Sequence, residues 1–472
     1  MRSIDWVAET LAAPIYHRGR TTSLTGVSID SRTIRPGQLF VALLGERTDG
    51  HKFLSEAFQN GAGGALVRRL PSRPQADVVN CVQVDDPLRA LQRLAAQRRT
   101  ERSIPIIGIT GSAGKTTTKE LTCAVLSRRY HAHATPGNYN TEIGVPLTLL
   151  NMPEDVDVGI VEMGLQHPGD IRTLCEIARP TVGVLTSIGD AHIGFFANQE
   201  ALAREKWTLL KALPHTGHAV LNLDAPYVAA WRRHLPGDTL SFSIEDPDAD
   251  IRAVEIDDGQ LDGLRLSLAT HGGTSPIRTS LLGRHNAYAV LAALAVGQVM
   301  DVPSEEALNA IEAARPIPHR MELKRSQRYG LILDDTYNAS PTATQEALAT
   351  LARLGTTRHK IAVLGDMREL GEQADAQHKR LAEWINDLGI DQLLAIGDLA
   401  CRTTDALRTE WDWSSKRAQH ATDLDQLFDQ LEESLSDSAA GTDALILVKG
   451  SRAMALDRLV DRLVTPTETL RP

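Results

Sequence analysis

Residues 109–120 read ITGSAGKTTTKE: an apolar run enters a glycine-bearing turn and then a helix that opens on Lys and Thr. Glycines let backbone N–H groups face outward, and a helix N-terminus adds partial positive charge, so such a turn can cradle phosphate oxygens. Gly111, Ser112, Ala113 and Gly114 would form the cradle, with Thr117 one residue into the helix. Lys115 would reach the β- and γ-phosphates of a nucleotide, and the Thr116 hydroxyl would bind Mg²⁺. The usual GxxxxGK[ST] spacing wants glycine where Ile109 stands, so Gly111 opens the loop instead. The plainer alternative is a tight strand–helix turn that binds nothing.

Three more residues fall where metal-dependent phosphoryl chemistry would want them. Glu162 closes the run VGIVEMG, His192 follows VGVLTS, and Lys206 sits on a helix predicted to start near Asn198. Ligands of a parallel sheet bind just beyond the carboxyl ends of its strands, so Glu162 and His192 can approach the same phosphates. A carboxylate suits Mg²⁺, whereas an imidazole is a less usual ligand for so hard a cation. Each also has a bland reading: Glu162 as a strand-end surface residue, His192 as an ordinary loop histidine, Lys206 as a solvated helix lysine.

The elements that must position these groups follow from periodicity. Apolar runs at 104–110, 158–164 and 182–187 alternate with helical segments, which predicts a parallel sheet with helices on both faces. Between about 239 and 283 the pattern changes to period two, with Leu240, Phe242 and Ile244 alternating with serines. That predicts half-exposed antiparallel strands added to the central sheet. An Ala- and Leu-rich helix over 286–300 follows, and ARPIPHR at 314–320 reads as a hinge because its two prolines break any helix. Runs at 331–335, 361–366, 393–398 and 444–450 predict a second, Rossmann-like sheet, although no GxGxxG opens it. Before all of these, strand-like runs at 39–43 and 63–70 and an amphipathic helix over 87–99 form a small unit of their own.

The fold class is therefore α/β with three domains. Residues 1–100 form a small N-terminal domain, 101–315 a central P-loop domain with added antiparallel strands, and 316–472 a C-terminal Rossmann-like domain. The chain's 472 residues agree with three units at roughly 150 residues each. Fifty Lys and Arg against sixty Asp and Glu leave a net charge of −10. No nucleic acid or anionic membrane is expected as a partner, since the bulk field repels both. Four scattered cysteines without a CxxC predict reduced thiols in the cytoplasm. Asp5 and Glu9 interrupt the first apolar stretch, so no secretory leader and no membrane insertion are expected.

With its displaced glycine, TGSAGKTT resembles the phosphate loop of the Mur ligase family, the ATP-dependent amino acid and peptide ligases of peptidoglycan synthesis. The resemblance runs from about residue 26 to about residue 456, through GVSIDSRTIRPGQLFVALLGERTDGHKFLSEAFQNGAGGALV, GNYNTEIGVPLTLL, GDAHIGFF, GRHNAYAVLAALAV, IPHRMEL, DDTYNASP, VLGDMRELGEQADAQH and LVKGSRAM. It implies that Ser28, Asp30, Ser31, Arg32, Asp49 and His51 lie near the uridine end of a UDP-linked substrate. A turn-capping ion pair is the plainer reading of Asp30 and Arg32. The resemblance further implies that Asn286 contacts adenine, Arg320 the ATP phosphates and Asp335 the ribose. Asn140, Tyr337, Asn338, Lys449 and Ser451 would lie near the substrates.

Two Mg²⁺ sites are implied, with Lys206 carbamylated as a ligand beside Glu162, His192 and Thr116. A carbamate forms only from a neutral amine, so this lysine would need a depressed pKa. YNASP followed by LGDMRELG, and the absence of a DNPR-like motif after residue 316, point to the family member that joins D-alanyl-D-alanine to UDP-MurNAc-tripeptide, acting as a monomer. A family ligase with another amine substrate and a non-catalytic nucleotide-binding scaffold are the alternatives. Thr141, Gly194, Ala289 and His319 depart from the family pattern, which elsewhere in these blocks has Asn, Glu, Asn and Gly respectively.

Overall fold

The computed structural model describes residues 3–16, 22–45, 48–70, 80–235, 237–270, 272–437 and 443–464. Residues 1–2 and 465–472, which belong to the first and third predicted domains, lie outside the described residues. Among the described residues the strands form three sheets of five, nine and six strands. No described helix is long and apolar enough to cross a membrane.

The first sheet places Gly64–Val67 and Gln38–Val41 at its centre, with Asn80–Gln83 on one side and Gly26–Ser28 at the far edge. These four run parallel, and only Ile15–Tyr16 pairs antiparallel. The helix Pro87–Thr100 packs against this unit. Asp86 caps it by accepting from the N–H groups of Leu88 and Arg89, and Pro87 occupies the first turn, where a missing N–H costs nothing.

In the nine-stranded sheet Ile106–Thr110 lies between Val158–Glu162 and Val182–Leu185, all parallel. All three strands are buried along their whole length, which explains their unbroken apolar runs. The helix Asn286–Val299 is buried on nearly every face, wedged against the helix Lys115–Leu126 and the sheet. Gly297 makes that wedge possible, because a Cβ there would stand 2.7 Å from Val125 Cγ1.

The period-two reading of residues 239–283 needs correction. Asp238–Ser243 runs parallel to both His218–Asn222 and Ile251–Asp257. Antiparallel pairing begins only at Leu264–Thr270, which joins Ile251–Asp257 and Gly273–Thr279. The serines misled because they are buried rather than exposed. Ser241 donates to Asp250 at 2.6 Å and Ser243 donates to Asp224, so satisfied hydroxyls imitate a solvent-facing register.

The third sheet orders Glu322–Ser326, Gly330–Asp335, Ala444–Lys449, His359–Gly365, Gln392–Ile396 and Ala418–Ala421. Its first pair is antiparallel and the rest are parallel, as in an open doubly wound sheet with an added edge strand. Residues 314–317, between the helix Ser304–Ala313 and this sheet, carry no regular structure, in keeping with the predicted hinge.

Asn151 joins the first two sheets. Its Oδ1 accepts from Val27 N–H at 2.8 Å, and its Nδ2 donates to Val27 O and Leu147 O, each at 2.9 Å. The amide thus serves the open edge of Gly26–Ser28 as a neighbouring strand would. Asn151→Ala should destabilise the contact by about 1–3 kcal/mol, because it leaves buried backbone groups unpaired. Urea unfolding should show an earlier transition for the N-terminal unit, and a midpoint equal to wild type would remove Asn151 from that role.

Candidate active site

The phosphate loop takes its shape from one close approach. Gly111 has φ 155°, and a Cβ there would lie 1.9 Å from Thr186 Oγ1. Gly114 at φ 78° then turns the chain into the helix. Thr186 Oγ1 donates to Ala113 O at 2.6 Å, Ala113 N–H donates to Ser187 Oγ at 2.8 Å, and Gly189 N–H donates to Ser112 Oγ at 2.8 Å. No side chain caps the helix Lys115–Leu126, so its first-turn N–H groups remain for an anion. Thr186 and Ser187 were not singled out from sequence, and the polar pair ending VGVLTS was their only signal.

Lys115 Nζ folds back to donate to Gly111 O at 2.7 Å. Burial pushes its pKa below the ordinary lysine value, Glu162 opposes the shift and the Arg320 charge reinforces it. Glu162 is 2% exposed. Its Oε1 accepts from Asn140 Nδ2 at 2.7 Å, while Oε2 is buried without a partner. An orphaned carboxylate oxygen beside a phosphate loop fits a hard cation such as Mg²⁺. Thr116 Oγ1, another of the expected ligands, accepts from Arg320 Nη2 at 2.8 Å.

Lys206 lies on the helix Gln199–Lys211, which Asn198 caps by accepting from Ala201 N–H at 2.9 Å. Lys206 is fully enclosed, and no ion pair to it is found among the described residues. Burial, and then the Lys115 charge, push its pKa well below the ordinary value, against the pull of Glu205. The bland reading of a solvated helix lysine therefore fails. A lysine pushed in this direction fits the chemistry of a carbamate, which forms from the neutral amine.

The C-terminal sheet supplies the facing wall. The Arg320 guanidinium stacks 3.9 Å from the Tyr337 ring centroid, and its Nε is buried without a partner. Lys449 Nζ pairs with Asp335 Oδ2 at 2.5 Å and donates to Asn338 O at 2.8 Å. Asn286 Nδ2 donates to Leu282 O at 2.7 Å. His319 stands at φ 63°, a conformation that glycine adopts without strain, and its Nδ1 lies 2.9 Å from Asp334 Oδ2. Lys324 Nζ, 2.7 Å from the same oxygen, already balances that carboxylate.

Together these walls enclose a cleft of about 820 Å³, within the range that holds a nucleotide-sized ligand. The loop from Ser112 to Thr117 lines it, with Asn140, Glu162 and His192 from the central sheet and Asn286 from its helix. Arg320, Asp335, Tyr337, Asn338 and Lys449 line it from the other side. Gly111, Lys206 and Ser451 are not among the residues that line it. Ser451 Oγ is occupied in accepting from Arg368 N–H at 2.9 Å.

The N-terminal candidates do not line this cleft. Arg32 forms a two-pronged, largely exposed contact with Asp30, whose N–H donates to Ser28 Oγ at 3.1 Å. Ser31 donates to Glu56 at 2.6 Å, and His51 Nδ1 lies 2.7 Å from Asp49 Oδ1. Sequence reasoning also passed over Glu369, which lies inside LGDMRELG and approaches His192 Nδ1 to 2.6 Å, and His285, whose buried Nδ1 is unpartnered at the cleft.

Three family models match in succession: "Mur ligase family, catalytic domain" over residues 23–99, "Mur ligase middle domain" over 109–297, and "Mur ligase, glutamate ligase domain" over 319–452. The UDP-N-acetylmuramoyl-tripeptide–D-alanyl-D-alanine ligase of Bacillus subtilis is 32% identical over 466 residues, covering 98% of this chain and 97% of its own. A crystal structure of MurF from Acinetobacter baumannii superposes with a TM-score of 0.88 at 27% identity, covering 98% of each chain. MurF from Thermotoga maritima in complex with ADP gives a TM-score of 0.79 at 28% identity, covering 93% of this chain and 96% of that one. In sequence over nearly its whole length, and in the order of its three sheets, this chain belongs to the Mur ligase family.

Proposed function

We propose that this chain joins D-alanyl-D-alanine to UDP-N-acetylmuramoyl-tripeptide at the expense of ATP, yielding the pentapeptide nucleotide of cell-wall synthesis. The observation that carries the reading is the cleft itself. It gathers the phosphate loop, an orphaned buried carboxylate and an arginine with a free buried Nε from two domains. Relatives bearing that ligase's name and at least 30% identical over more than nine-tenths of this chain support the choice of substrates.

The terminal carboxylate of the tripeptide attacks the γ-phosphorus of ATP, giving an acyl phosphate and ADP. The free amine of D-alanyl-D-alanine then attacks the acyl carbon, phosphate leaves, and the amine's proton is lost. Two anions must meet in the first step, so the protein has to neutralise charge where they approach. Lys115 would exchange the Gly111 carbonyl for phosphate oxygens, and Arg320 would turn its unpartnered Nε to the same group. Thr116, Glu162, His192 and a carbamylated Lys206 would hold two Mg²⁺ ions, which when bound supply further neutralisation of the phosphates. Asn286 and Asp335 would seat adenine and ribose. Tyr337, Asn338, Lys449 and Ser451 would flank the reacting ends, with Ser451 first releasing the Arg368 amide.

Residues 1–100 would bind the UDP portion through Ser28, Asp30, Ser31, Arg32, Asp49 and His51, residues 101–315 the ATP, and residues 316–472 would close over the acyl phosphate to exclude water. One chain carries every group in this scheme, so we take the monomer as the acting unit. A cytoplasmic setting would suit these substrates.

Phosphate release should require both the nucleotide and D-alanyl-D-alanine, with the pentapeptide product seen by mass spectrometry. Release with the nucleotide but a different amine would assign a sister activity, and silence with every amine would favour a nucleotide-binding scaffold. Lys206→Ala should lower kcat by roughly a thousandfold or more, as expected where a group acts on the reacting centre, and short carboxylic acids should restore part of it. Full activity in that variant would remove Lys206 from the chemistry.

A further inference from the structure

Among the contacts between the central and C-terminal domains is one at the cleft that the proposed chemistry does not itself require. His192 opens the short turn Ile193–Phe195, and Glu369 precedes the short turn Gly371–Gln373 of the C-terminal domain. Gly194 N–H donates to Glu369 O at 3.0 Å, and Glu369 Oε2 lies 2.6 Å from His192 Nδ1. The second contact is short but bent, since Nδ1 makes no aligned hydrogen bond. The two backbones touch: a Cβ on Gly194 would lie 2.5 Å from Gly371 N and 2.9 Å from Glu369 O. No side chain of any size fits between them.

Both pairing residues are held in the left-handed region, His192 at φ 67° and Glu369 at φ 66°. Non-glycine residues reach that region only at a cost in free energy, which the contacts around the two residues must offset. The carboxylate is half-buried between the two turns. A carboxylate oxygen 2.6 Å from Nδ1 limits how the imidazole can turn and leaves Nε2 as its remaining nitrogen.

We propose that Glu369 is a positioning residue. It is delivered by the C-terminal domain, and its carboxylate orients His192 while its carbonyl clamps Gly194, so the imidazole is fixed in place only when the domains are closed. The contact ties closure of the cleft to readiness of the site. Turnover before closure, which would expose an acyl phosphate to water, is thereby disfavoured. The kinetic part of this inference rests on the ligase reading, whereas the structural part does not.

Two variants of the full chain test it. Glu369→Gln keeps the side chain's shape and removes its charge. It should lower kcat roughly 10- to 100-fold, as removal of a group that orients a ligating histidine does, and leave KM for ATP and the nucleotide substrate near wild type. Gly194→Ala places a methyl group against Gly371 and should hold the domains apart. Hydrogen–deuterium exchange over residues 190–196, followed by mass spectrometry, should be faster in both variants than in wild type, and scattering should show Gly194→Ala as the more extended chain. Wild-type kcat in Glu369→Gln would overturn the proposal, as would wild-type exchange over 190–196 in both variants. If wild type ligates no amine tested, the ligase reading has failed separately, and exchange alone decides whether the contact positions His192.

Discussion

Thr186 Oγ1 stands where a Cβ of residue 111 would have to be, at 1.9 Å. That one steric constraint permits only glycine at position 111 and draws the loop onto the end of the neighbouring strand. From it follow the hydrogen bonds of Ala113 and Ser112 to Ser187 and Gly189, and from those the direction in which the helix Lys115–Leu126 presents its N-terminus. The loop needs no side-chain cap because its free amides face a cleft built for anions. It also explains the displaced glycine, since the close approach occurs at Gly111 while Ile109 lies within the buried strand.

Around the loop the protein leaves charge unsatisfied. Lys206 is enclosed without a counter-ion among the described residues, Glu162 Oε2 and Arg320 Nε are buried and unpartnered, and Lys115 finds only a backbone carbonyl. Each such group costs free energy in the empty protein. Ligands that pair with them recover that cost, so binding and stability are linked in this cleft. A chain of net charge −10 can thus still attract polyphosphate at this one place. The strained backbone at His192, His319, Met321 and Glu369 lies on the same seam between the domains, where surrounding contacts hold conformations that an isolated chain would abandon.

Much of this architecture could be read from local pattern. Buried parallel strands advertise themselves as unbroken apolar runs, and 104–110, 158–164 and 182–187 each enclose the strand that forms. The helix beginning at Pro87 was legible from its amphipathic pattern and that beginning at Gln199 from Asn198. The direction of Asp238–Ser243 was not legible, because alternation reports which face is buried and says nothing of which way a neighbour runs. Ser241 and Ser243 are polar by type and buried in fact, through carboxylates that lie 9 and 19 residues away along the chain. Asn151 shows the same limit: a side chain that serves a sheet edge 124 residues distant carries no local mark of that role.

By itself the sequence determined the order of the three units, the place of the phosphate loop and the residue types able to meet phosphate and a hard cation. Those depend on spacings of a few residues along one strand, turn or helix, which short-range sterics and hydrogen bonding decide. Only the tertiary structure decided that Lys206 is enclosed and pushed toward its neutral form, that Arg320 reaches Thr116, and that Glu369 meets His192. Burial and electrostatic environment are properties of everything packed around a group. Here those neighbours come from segments 91, 204 and 177 residues away in the chain, so no local pattern could carry them.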